Sequence, residues 1–288
     1  MRNLCTTAFF LCLASLGLAM DQAAFTAAVA LYHDHKLLEA QQAFEALAPT
    51  APDNAEIPFY LGRLALQRNE REKAVGYLEK AAALSPGDSR IHLKLGDAYG
   101  LTAQKAGFFS QIGWAKKCQA EYVKAVELEP KNIEARRSLM EYCLQAPSIV
   151  GGGLDKALEQ AQEIKKLDPV EGGDALGSVY ATDKKFDLAM TEYDAVLKIR
   201  PDDYAALYQT GRISVLTGER IDRGLTALQH CLTLPSPEGQ PPYAAVHWRM
   251  GNLLEKKSDK PGARAAYEAA LKADPKFKQA AEALKQLE

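Results

Sequence analysis

The sequence predicts an all-α protein, an α-solenoid of about seven helix-turn-helix hairpins stacked one on the next. Two observations predict this fold. Alanine and leucine are the most frequent residue types, and both favour helix over strand. A pattern of small residues, large apolar residues and proline also recurs every 34 residues along most of the chain. Such a period is typical of repeat proteins, whose hairpins bury their apolar faces only by stacking on neighbours.

Composition restricts the class of partner. Hydrophobic residues make up 47% of the chain and charged residues 25%, the proportions of an ordinary folded protein. The formal net charge is −2, so no basic excess draws the chain to nucleic acid, and no basic helix face indicates a membrane surface. We therefore expect no nucleic-acid partner.

Three windows carry the clearest repeat: 55–88, 170–203 and 244–277. In the first, Gly62 and Ala74 lie where the two helices of a hairpin would touch, and Leu78 fills the space between hairpins. Pro86 ends the second helix, because proline lacks a backbone N–H and its ring clashes with the preceding turn. The same roles fall to Gly177, Ala189, Tyr193 and Pro201, and then to Gly251, Ala263, Tyr267 and Pro275.

Four further hairpins follow the pattern less closely, over 21–54, 89–132, 133–169 and 204–240. Two of them hold additional residues. The surplus in 89–132 lies within 100–117, and a smaller one in 133–169 lies at 146–153.

The C-terminal segment 278–288 is predicted to be an amphipathic helix. Its Ala281, Leu284 and Leu287 would face inward and cover the last hairpin, as terminal caps do. The polar pairs Asp53-Asn54 and Asp202-Asp203 are placed to cap the helices that follow them. We expect one continuous solenoid, with a mild hinge at the Pro/Gly-rich loop 235–242.

These motifs resemble tetratricopeptide repeats, and the resemblance covers nearly all of the chain after residue 20. It implies a right-handed superhelix whose concave face, lined by the first helix of each hairpin, binds a protein or peptide, and it implies no cofactor. Some members grip a C-terminal carboxylate with Lys and Asn. Here the corresponding positions hold Phe25, Val29, Phe59 and Arg63, so that activity is not carried over.

Outward positions on the first helices form the predicted contact set. Aromatic and arginine side chains dominate binding hot spots in protein interfaces, and this set is rich in both. The alternative is that Phe59, Tyr208 and Trp248 pack between repeats. The predicted contacts are Phe59, Arg63, Leu66, Leu93, Asp97, Arg137, Glu141, Tyr208, Arg212, Trp248 and Asn252.

The surplus in 100–117 has two interpretations. It carries Phe108, Phe109, Ile112 and Trp114, flanked by Lys105, Lys116 and Lys117. In the first interpretation both helices are lengthened and the apolar residues pack against one another. In the second they form an exposed docking ridge for a partner, because large exposed apolar patches mark interaction sites. The first is favoured, since an open ridge promotes aggregation.

The N-terminal residues predict export. Arg2 precedes an apolar run over 9–19, and the small residues Gly17 and Ala19 suit signal-peptide cleavage after Ala19. The run is short for a membrane anchor, and Cys12 lacks the small residue that precedes a lipid-attachment cysteine. The sequence therefore predicts a periplasmic or secreted protein with a signal peptide over 1–19 and no membrane span after cleavage.

Catalytic and metal sites are not predicted. The polar segment His33-Asp34-His35 reads as a solvated turn, because two histidines and one carboxylate make an incomplete metal site. The glycines 151–153 lack the Lys-Ser/Thr ending of a phosphate loop and read as a flexible turn. Cys118, Cys143 and Cys231 are predicted to be buried thiols, although a disulfide between Cys118 and Cys143 is left open.

The resulting hypothesis is a non-enzymatic scaffold or adaptor. The 100–117 surplus together with 146–152 resembles a group of exported bacterial tetratricopeptide proteins, which implies the bacterial cell envelope. The alternative is a dedicated assembly factor or chaperone, in cytochrome maturation, pilus assembly or outer-membrane protein assembly. A hydrolase is disfavoured, because its nearest candidate pair, Glu141 with Arg137, resembles an ordinary helix-surface pair.

Overall fold

The computed structural model describes residues 22–287, and within that range all regular secondary structure is helical. The predicted all-α class is confirmed. The predicted signal peptide, residues 1–19, lies outside the described residues. None of the described helices is long and apolar enough to cross a membrane.

Contacts group the chain into two compact units. The first includes residues 22–142 and 146–152, and the second includes 143–145 and 153–287. The division falls at the end of one helix and the glycine-rich loop that follows it. The loop 235–242, where we expected a hinge, lies inside the second unit.

The first unit is built from consecutive helices that pack on one another. Its last helix ends beyond the boundary, and a short 3-10 helix, Ser148–Val150, follows. The helices are α1 (22–33), α2 (Leu37–Leu47), α3 (Glu56–Gln67), α4 (Arg71–Leu84), α5 (Ser89–Ala103), α6 (Phe108–Leu128) and α7 (Ile133–Gln145).

The second unit continues the pattern. Each of its helices packs on the next along the chain, and alternate helices also touch. The helices are α8 (Leu154–Leu167), α9 (Pro169–Thr182), α10 (Phe186–Ile199), α11 (Tyr204–Thr217), α12 (Ile221–Cys231), α13 (Tyr243–Lys256), α14 (Lys260–Ala273) and α15 (Lys278–Gln286).

Small residues bring the two helices of each hairpin together, as predicted. A Cβ added at Gly62 would lie 2.5 Å from Cγ of Leu78, and one at Gly177 would lie 2.6 Å from the ring of Tyr193. Leu78 and Tyr193 are fully buried. Tyr193 also packs with Ala206 of the next hairpin. One large side chain therefore fills both the cleft within its hairpin and the space before the next.

The predicted cap is confirmed at Asp203, whereas before α3 the N-cap residue is Ala55 and Asn54 bonds to the helix from one position earlier. The side chain of Asn54 accepts a hydrogen bond from the backbone N–H of Glu56 (2.9 Å), and that of Asp203 accepts one from Ala206 (3.0 Å). At the C-terminus, Ala280 of α15 is fully buried against α14, and Leu284 and Leu287 pack beside it. The terminal helix therefore covers the apolar face of the last hairpin.

The glycine-rich turn after α7 is compact. Gly151 adopts a φ of +92° and Gly153 a φ of +145°, conformations open mainly to glycine. A Cβ at Gly152 would lie 1.8 Å from the carbonyl oxygen of Ala146. These constraints explain the run of three glycines without a bound phosphate.

Candidate functional site

The first helices of the hairpins carry half-buried arginine and aromatic groups that could meet a partner. In the first unit these helices are α1, α3, α5 and α7, and in the second they are α9, α11 and α13. Each unit holds a cluster in which an arginine lies over aromatic rings.

The cluster of the first unit centres on Arg63 of α3. Its guanidinium carbon lies 4.7 Å from the ring centre of Tyr32, 5.4 Å from that of Phe59 and 5.5 Å from that of Tyr60. Tyr32 belongs to α1, so the cluster joins two first helices. The negative faces of aromatic rings attract the cation, and the packed rings restrict the arginine to one region of the surface.

Arg63 differs from its neighbour Arg90 in its charge environment. Arg90 lies 5.3 Å from the ring of Phe59 but is paired with Asp88 at 2.6 Å and Glu56 at 2.5 Å. The hydrogen bonds that Arg90 donates to Asp88 and Glu56 raise the pKa of its guanidinium above the ordinary value. Within residues 22–287, Arg63 forms no ion pair. Its guanidinium is half-buried and can donate to an incoming carboxylate.

Charged residues next to this cluster are already engaged. Lys94 of α5 donates to Asp97 (3.1 Å) and to Glu134 of α7 (2.7 Å). Asp97 also accepts a hydrogen bond from the hydroxyl of Tyr122 (2.8 Å). Asp97 therefore links neighbouring helices, and whether it also contacts a partner stays a prediction.

The cluster of the second unit centres on Arg249 of α13. Its guanidinium carbon lies 5.1 Å from the ring of Tyr208 and 5.1 Å from that of Trp248. Its Nε donates to the hydroxyl of Tyr208 at 2.6 Å. Trp248 in turn lies 6.0 Å from the ring of Phe277. In the described part of the chain, Arg249 makes no ion pair either.

Three residues of the predicted contact set do not face outward. Phe59, Leu93 and Tyr208 are buried, with 3%, 2% and 6% of their surface exposed. The expectation of an outward position is wrong for Leu93, whereas for Phe59 and Tyr208 the structure shows the alternative, packing between repeats. The reason is that neighbouring first helices pack directly on one another, as α3 does on α5 and α11 on α13. Phe59 and Tyr208 instead support the arginines Arg63 and Arg249.

The rest of the predicted set retains some accessible surface, and whether it binds a partner stays a prediction. Asn252 accepts a hydrogen bond from the hydroxyl of Tyr267 (2.8 Å), and Arg212 donates to Gln209 (3.2 Å). Glu141 is exposed. The half-buried residues are Arg63, Leu66, Asp97, Arg137, Arg212, Trp248 and Asn252.

Sequence reasoning missed Tyr32, Tyr60 and Arg249. Arg249 follows the predicted Trp248 directly, so a search of one helix face at a spacing of four residues passes over it. The sequence does contain a pattern that could have revealed the clusters. In each of them the arginine has an aromatic residue one to four positions away, as Arg63 has Phe59. The contribution of Tyr32 could not be read, because it reaches the cluster from another helix.

Of the apolar residues in the 100–117 surplus, some are packed and others are exposed. Trp114 packs on Tyr99, with ring centres 5.5 Å apart, and Lys117 lies 4.7 Å above its ring. Ile112 is half-buried. Phe108 and Phe109, in contrast, are 72% and 89% exposed. The expectation that all four residues pack together is wrong for these two phenylalanines, because the start of α6 carries them away from the core and their rings contact each other.

The buried histidine His92 and the three buried cysteines have structural roles. The buried ring of His92 lies 2.5 Å from a carboxylate oxygen of Glu121 and 3.0 Å from the carbonyl oxygen of Pro86. Cys118, Cys143 and Cys231 are buried and free, which confirms the prediction of buried thiols. Burial raises the pKa of the Cys118 thiol to about 12, so it stays protonated and unreactive. Over the described residues, no group of His, Cys, Asp and Glu could hold a metal ion, and His33-Asp34-His35 forms an exposed turn.

Solved structures with similar folds are helical repeat proteins. A tetratricopeptide repeat protein from Parabacteroides merdae superposes with a TM-score of 0.66 at 13% identity, covering 93% of this chain and 98% of that one. Yeast Tom70 gives 0.62 at 16% identity, covering 88% and 51%. PilF of Pseudomonas aeruginosa gives 0.59 at 16% identity, covering 81% and 97%. These identities show a shared fold alone.

Family models give the same assignment from the sequence. No curated protein matches the chain. One model of the tetratricopeptide repeat matches residues 25–89, 59–99 and 241–287, and a second matches 174–203. Together these ranges cover just over half of the 288 residues. Proteins with this repeat generally mediate protein–protein interaction. The helical hairpins, their glycine contacts and these matches agree, and the chain belongs to the tetratricopeptide repeat family.

Proposed function

We propose that this protein is a non-enzymatic scaffold or adaptor of the bacterial cell envelope that binds a peptide or protein segment on its first helices. The observation that carries the proposal is Arg63, a cation held over three aromatic rings with no carboxylate of residues 22–287 paired to it. The ligand that fits is an extended segment bearing a carboxylate beside an apolar side chain.

The chemistry of the Arg63 cluster supports this ligand class. A charge-assisted hydrogen bond to a carboxylate is stronger than a neutral one, and the planar guanidinium can bind both carboxylate oxygens. Stacking on aromatic rings immobilises the arginine before the ligand arrives, which lowers the entropic cost of binding. The partly exposed Leu66, three residues further along α3, offers the adjacent apolar contact.

The Arg249 cluster of the second unit supports a second contact of the same kind. It repeats the combination of a first-helix arginine and two aromatic rings, and among the described residues no carboxylate pairs with the arginine. Rigid aromatic and arginine groups are the residues that dominate interface energetics. We treat it as an independent contact within its own unit.

A library of random peptides with free C-termini, displayed on phage, tests the proposal. The protein is expected to enrich peptides that carry Asp, Glu or a terminal carboxylate next to an apolar residue. Arg63→Gln should weaken binding of an enriched peptide by about tenfold or more, because a hydrogen bond to a charged group is lost. Fluorescence anisotropy measures this change.

The matched control is Arg68→Gln. Arg68 follows Arg63 by five residues and caps the end of α3. Its Nε lies 3.4 Å from a carboxylate oxygen of Glu70, and it is not part of an arginine–aromatic cluster. Its substitution should leave peptide affinity unchanged. Equal affinities of wild type and Arg63→Gln, or no enriched peptide, would contradict the proposed site.

The location in the envelope rests on the apolar run over 9–19 and the small residues before position 20. Fractionation of cells producing the full chain, with N-terminal sequencing of the product, tests it. Export with cleavage after Ala19 leaves Met20 as the first residue. A full-length product in the cytosol would contradict this part of the proposal.

A further inference from the structure

The start of α6 displays two phenylalanines away from the core. This helix has 21 residues, whereas the other second helices of hairpins have 11 to 14. Phe108 and Phe109 occupy its first two positions and lie 5.6 Å apart in an edge-on ring contact. Phe109, at 89% exposed, is the most exposed large hydrophobic residue of the described chain.

Ile149 is a further exposed apolar side chain, and it lies in the 3-10 turn that packs beside the same helix. The hydroxyl of Tyr142 lies within hydrogen-bond distance of the carbonyl oxygens of Ala115 in α6 (2.9 Å) and Val150 (2.6 Å). This bridge fixes the 3-10 turn against α6 while Ile149 points outward with 71% exposure. Holding Ile149 in this exposed position does not stabilise the core, because the isoleucine side chain stays in water.

The segments of the chain that carry these residues hold positive charges only. Residues 98–120 contain three lysines and no Asp or Glu, and residues 142–154 contain no charged residue, in a chain of net charge −2. Lys117 lies 3.9 Å from Glu79, but Lys105 and Lys116 form no ion pair within the described residues. Phe109 and Lys116 are seven residues apart, so they lie on the same side of α6.

We propose that Phe108, Phe109, Ile149, Lys105 and Lys116 form a membrane-contact tip that inserts into the interface of an anionic phospholipid bilayer. The rings and Ile149 would enter the boundary between headgroups and acyl chains. The lysines would meet the lipid phosphates, since their long side chains can extend to the polar layer.

The features of the tip favour a lipid surface over a protein partner. A bilayer accepts a projecting apolar group without a matching cavity. Its anionic headgroups attract lysines such as Lys105 and Lys116, which pair with no carboxylate of the described residues. A cationic patch was not evident from the overall composition, because the acidic residues that balance these lysines lie elsewhere in the chain. The inference does not depend on the peptide site.

Co-sedimentation of the full chain with vesicles tests the proposal. The protein is expected to bind vesicles of phosphatidylglycerol mixed with phosphatidylcholine, and to bind pure phosphatidylcholine vesicles much less. Phe109→Ser should weaken binding on the order of tenfold by removing the apolar insertion. Lys105→Glu and Lys116→Glu should each weaken it by at least about fivefold, and added salt should have the same effect.

Two variants serve as controls. Leu38→Ser removes another strongly exposed apolar side chain of the first unit, 58% exposed, and Lys80→Glu reverses an exposed lysine of α4. Both should bind vesicles as the wild type does. Unchanged circular dichroism and melting temperature show that the tip variants still fold, as expected for exposed positions.

Equal binding to both kinds of vesicle, or wild-type binding by Phe109→Ser, overturns the proposal. Capture of a protein partner that depends on Phe109, without any vesicle binding, also overturns it and assigns the tip to protein docking.

Discussion

Single glycines set how closely the two helices of a hairpin approach. Gly251 of α13 faces Tyr267 of α14, and a Cβ added there would lie 2.3 Å from a ring carbon. Tyr267 is fully buried. Its hydroxyl lies within hydrogen-bond distance of the side-chain oxygens of Asn252 (2.8 Å) and Glu255 (2.5 Å). The ring therefore cannot move aside without breaking these contacts.

Gly251→Ala should destabilise the protein by about 1–3 kcal/mol, the usual cost of overpacking a filled core. Gly76→Ala is the matched control, because no atom lies within 4 Å of a Cβ added there. That substitution should stabilise helix α4 by about 0.5–1 kcal/mol. Urea unfolding measures both changes, and shifts of the same sign in the two variants would refute this account.

The sequence predicts that these glycines lie where two helices touch, because the same pattern recurs in three repeats. It places the large residues between hairpins, and their additional contact with the glycines is seen only in the structure. Gly62, Gly177 and Gly251 occupy one position, and Leu78, Tyr193 and Tyr267 another. The arginine–aromatic clusters are harder to predict. Arg63 and Tyr32 meet only because α1 packs beside α3, and the distance between these residues along the chain carries no information on that approach.

At the scale of the element, α15 closes the apolar end of the second unit. Ala280 is fully buried against Tyr267 and Ala270, and Phe277 packs on Trp248. The prediction of a covering helix with Leu284 and Leu287 inward agrees with this packing. The alanine at its centre is Ala280, and Ala281, which was also expected inward, is half-buried. An amphipathic pattern is sufficient to predict such a helix, because only one helical face is apolar.

Ala280→Asp should therefore destabilise the chain strongly, by about 3 kcal/mol or more, because it buries an unpaired carboxylate. Gln279→Asp, one position away and exposed, should change stability by less than about 0.5 kcal/mol. Thermal unfolding followed by circular dichroism compares the two. A melting temperature of Ala280→Asp equal to that of Gln279→Asp would show that α15 does not cover the last hairpin.

The element that sequence reasoning described least well is α6. The surplus was located correctly within 100–117, but hydropathy could not decide whether both helices or one were lengthened. The structure adds the turns to α6, of 21 residues, while α5 has 15. Trp114 finds a partner in Tyr99 of α5. Phe108 and Phe109 start α6 beyond that contact, so an apolar pattern that predicts burial is misleading there.

For the whole molecule, periodicity predicted the fold but not its division. The repeat continues in phase through residues 133–169, so nothing in its spacing separates one part of the chain from the next. The boundary between the compact units falls at the glycine-rich turn after α7, where three glycines replace side chains that could pack. The Pro/Gly-rich loop 235–242 has a similar composition, yet it lies inside a unit.

The stability of the whole chain should fall in alkaline solution because its cores hold protonated thiols and phenols. Burial raises the pKa of Cys118 and of Cys231 to about 12, from an ordinary value of 9.0. Burial likewise raises the pKa of Tyr193 and Tyr267. In the unfolded chain these groups would lose their protons at lower pH than in the folded protein.

The folded state therefore binds more protons above about pH 9, and the free energy of unfolding decreases as pH rises. Each thiol contributes a slope of up to about 1.4 kcal/mol per pH unit between its unfolded and folded pKa values. Below about pH 9 these groups are protonated in both states and give no slope. Melting temperatures measured from about pH 8 to 11 should thus decline, and the Cys118→Ala, Cys231→Ala double variant should decline less steeply. A melting temperature independent of pH over this range would mean that the thiols and phenols are not held protonated by burial.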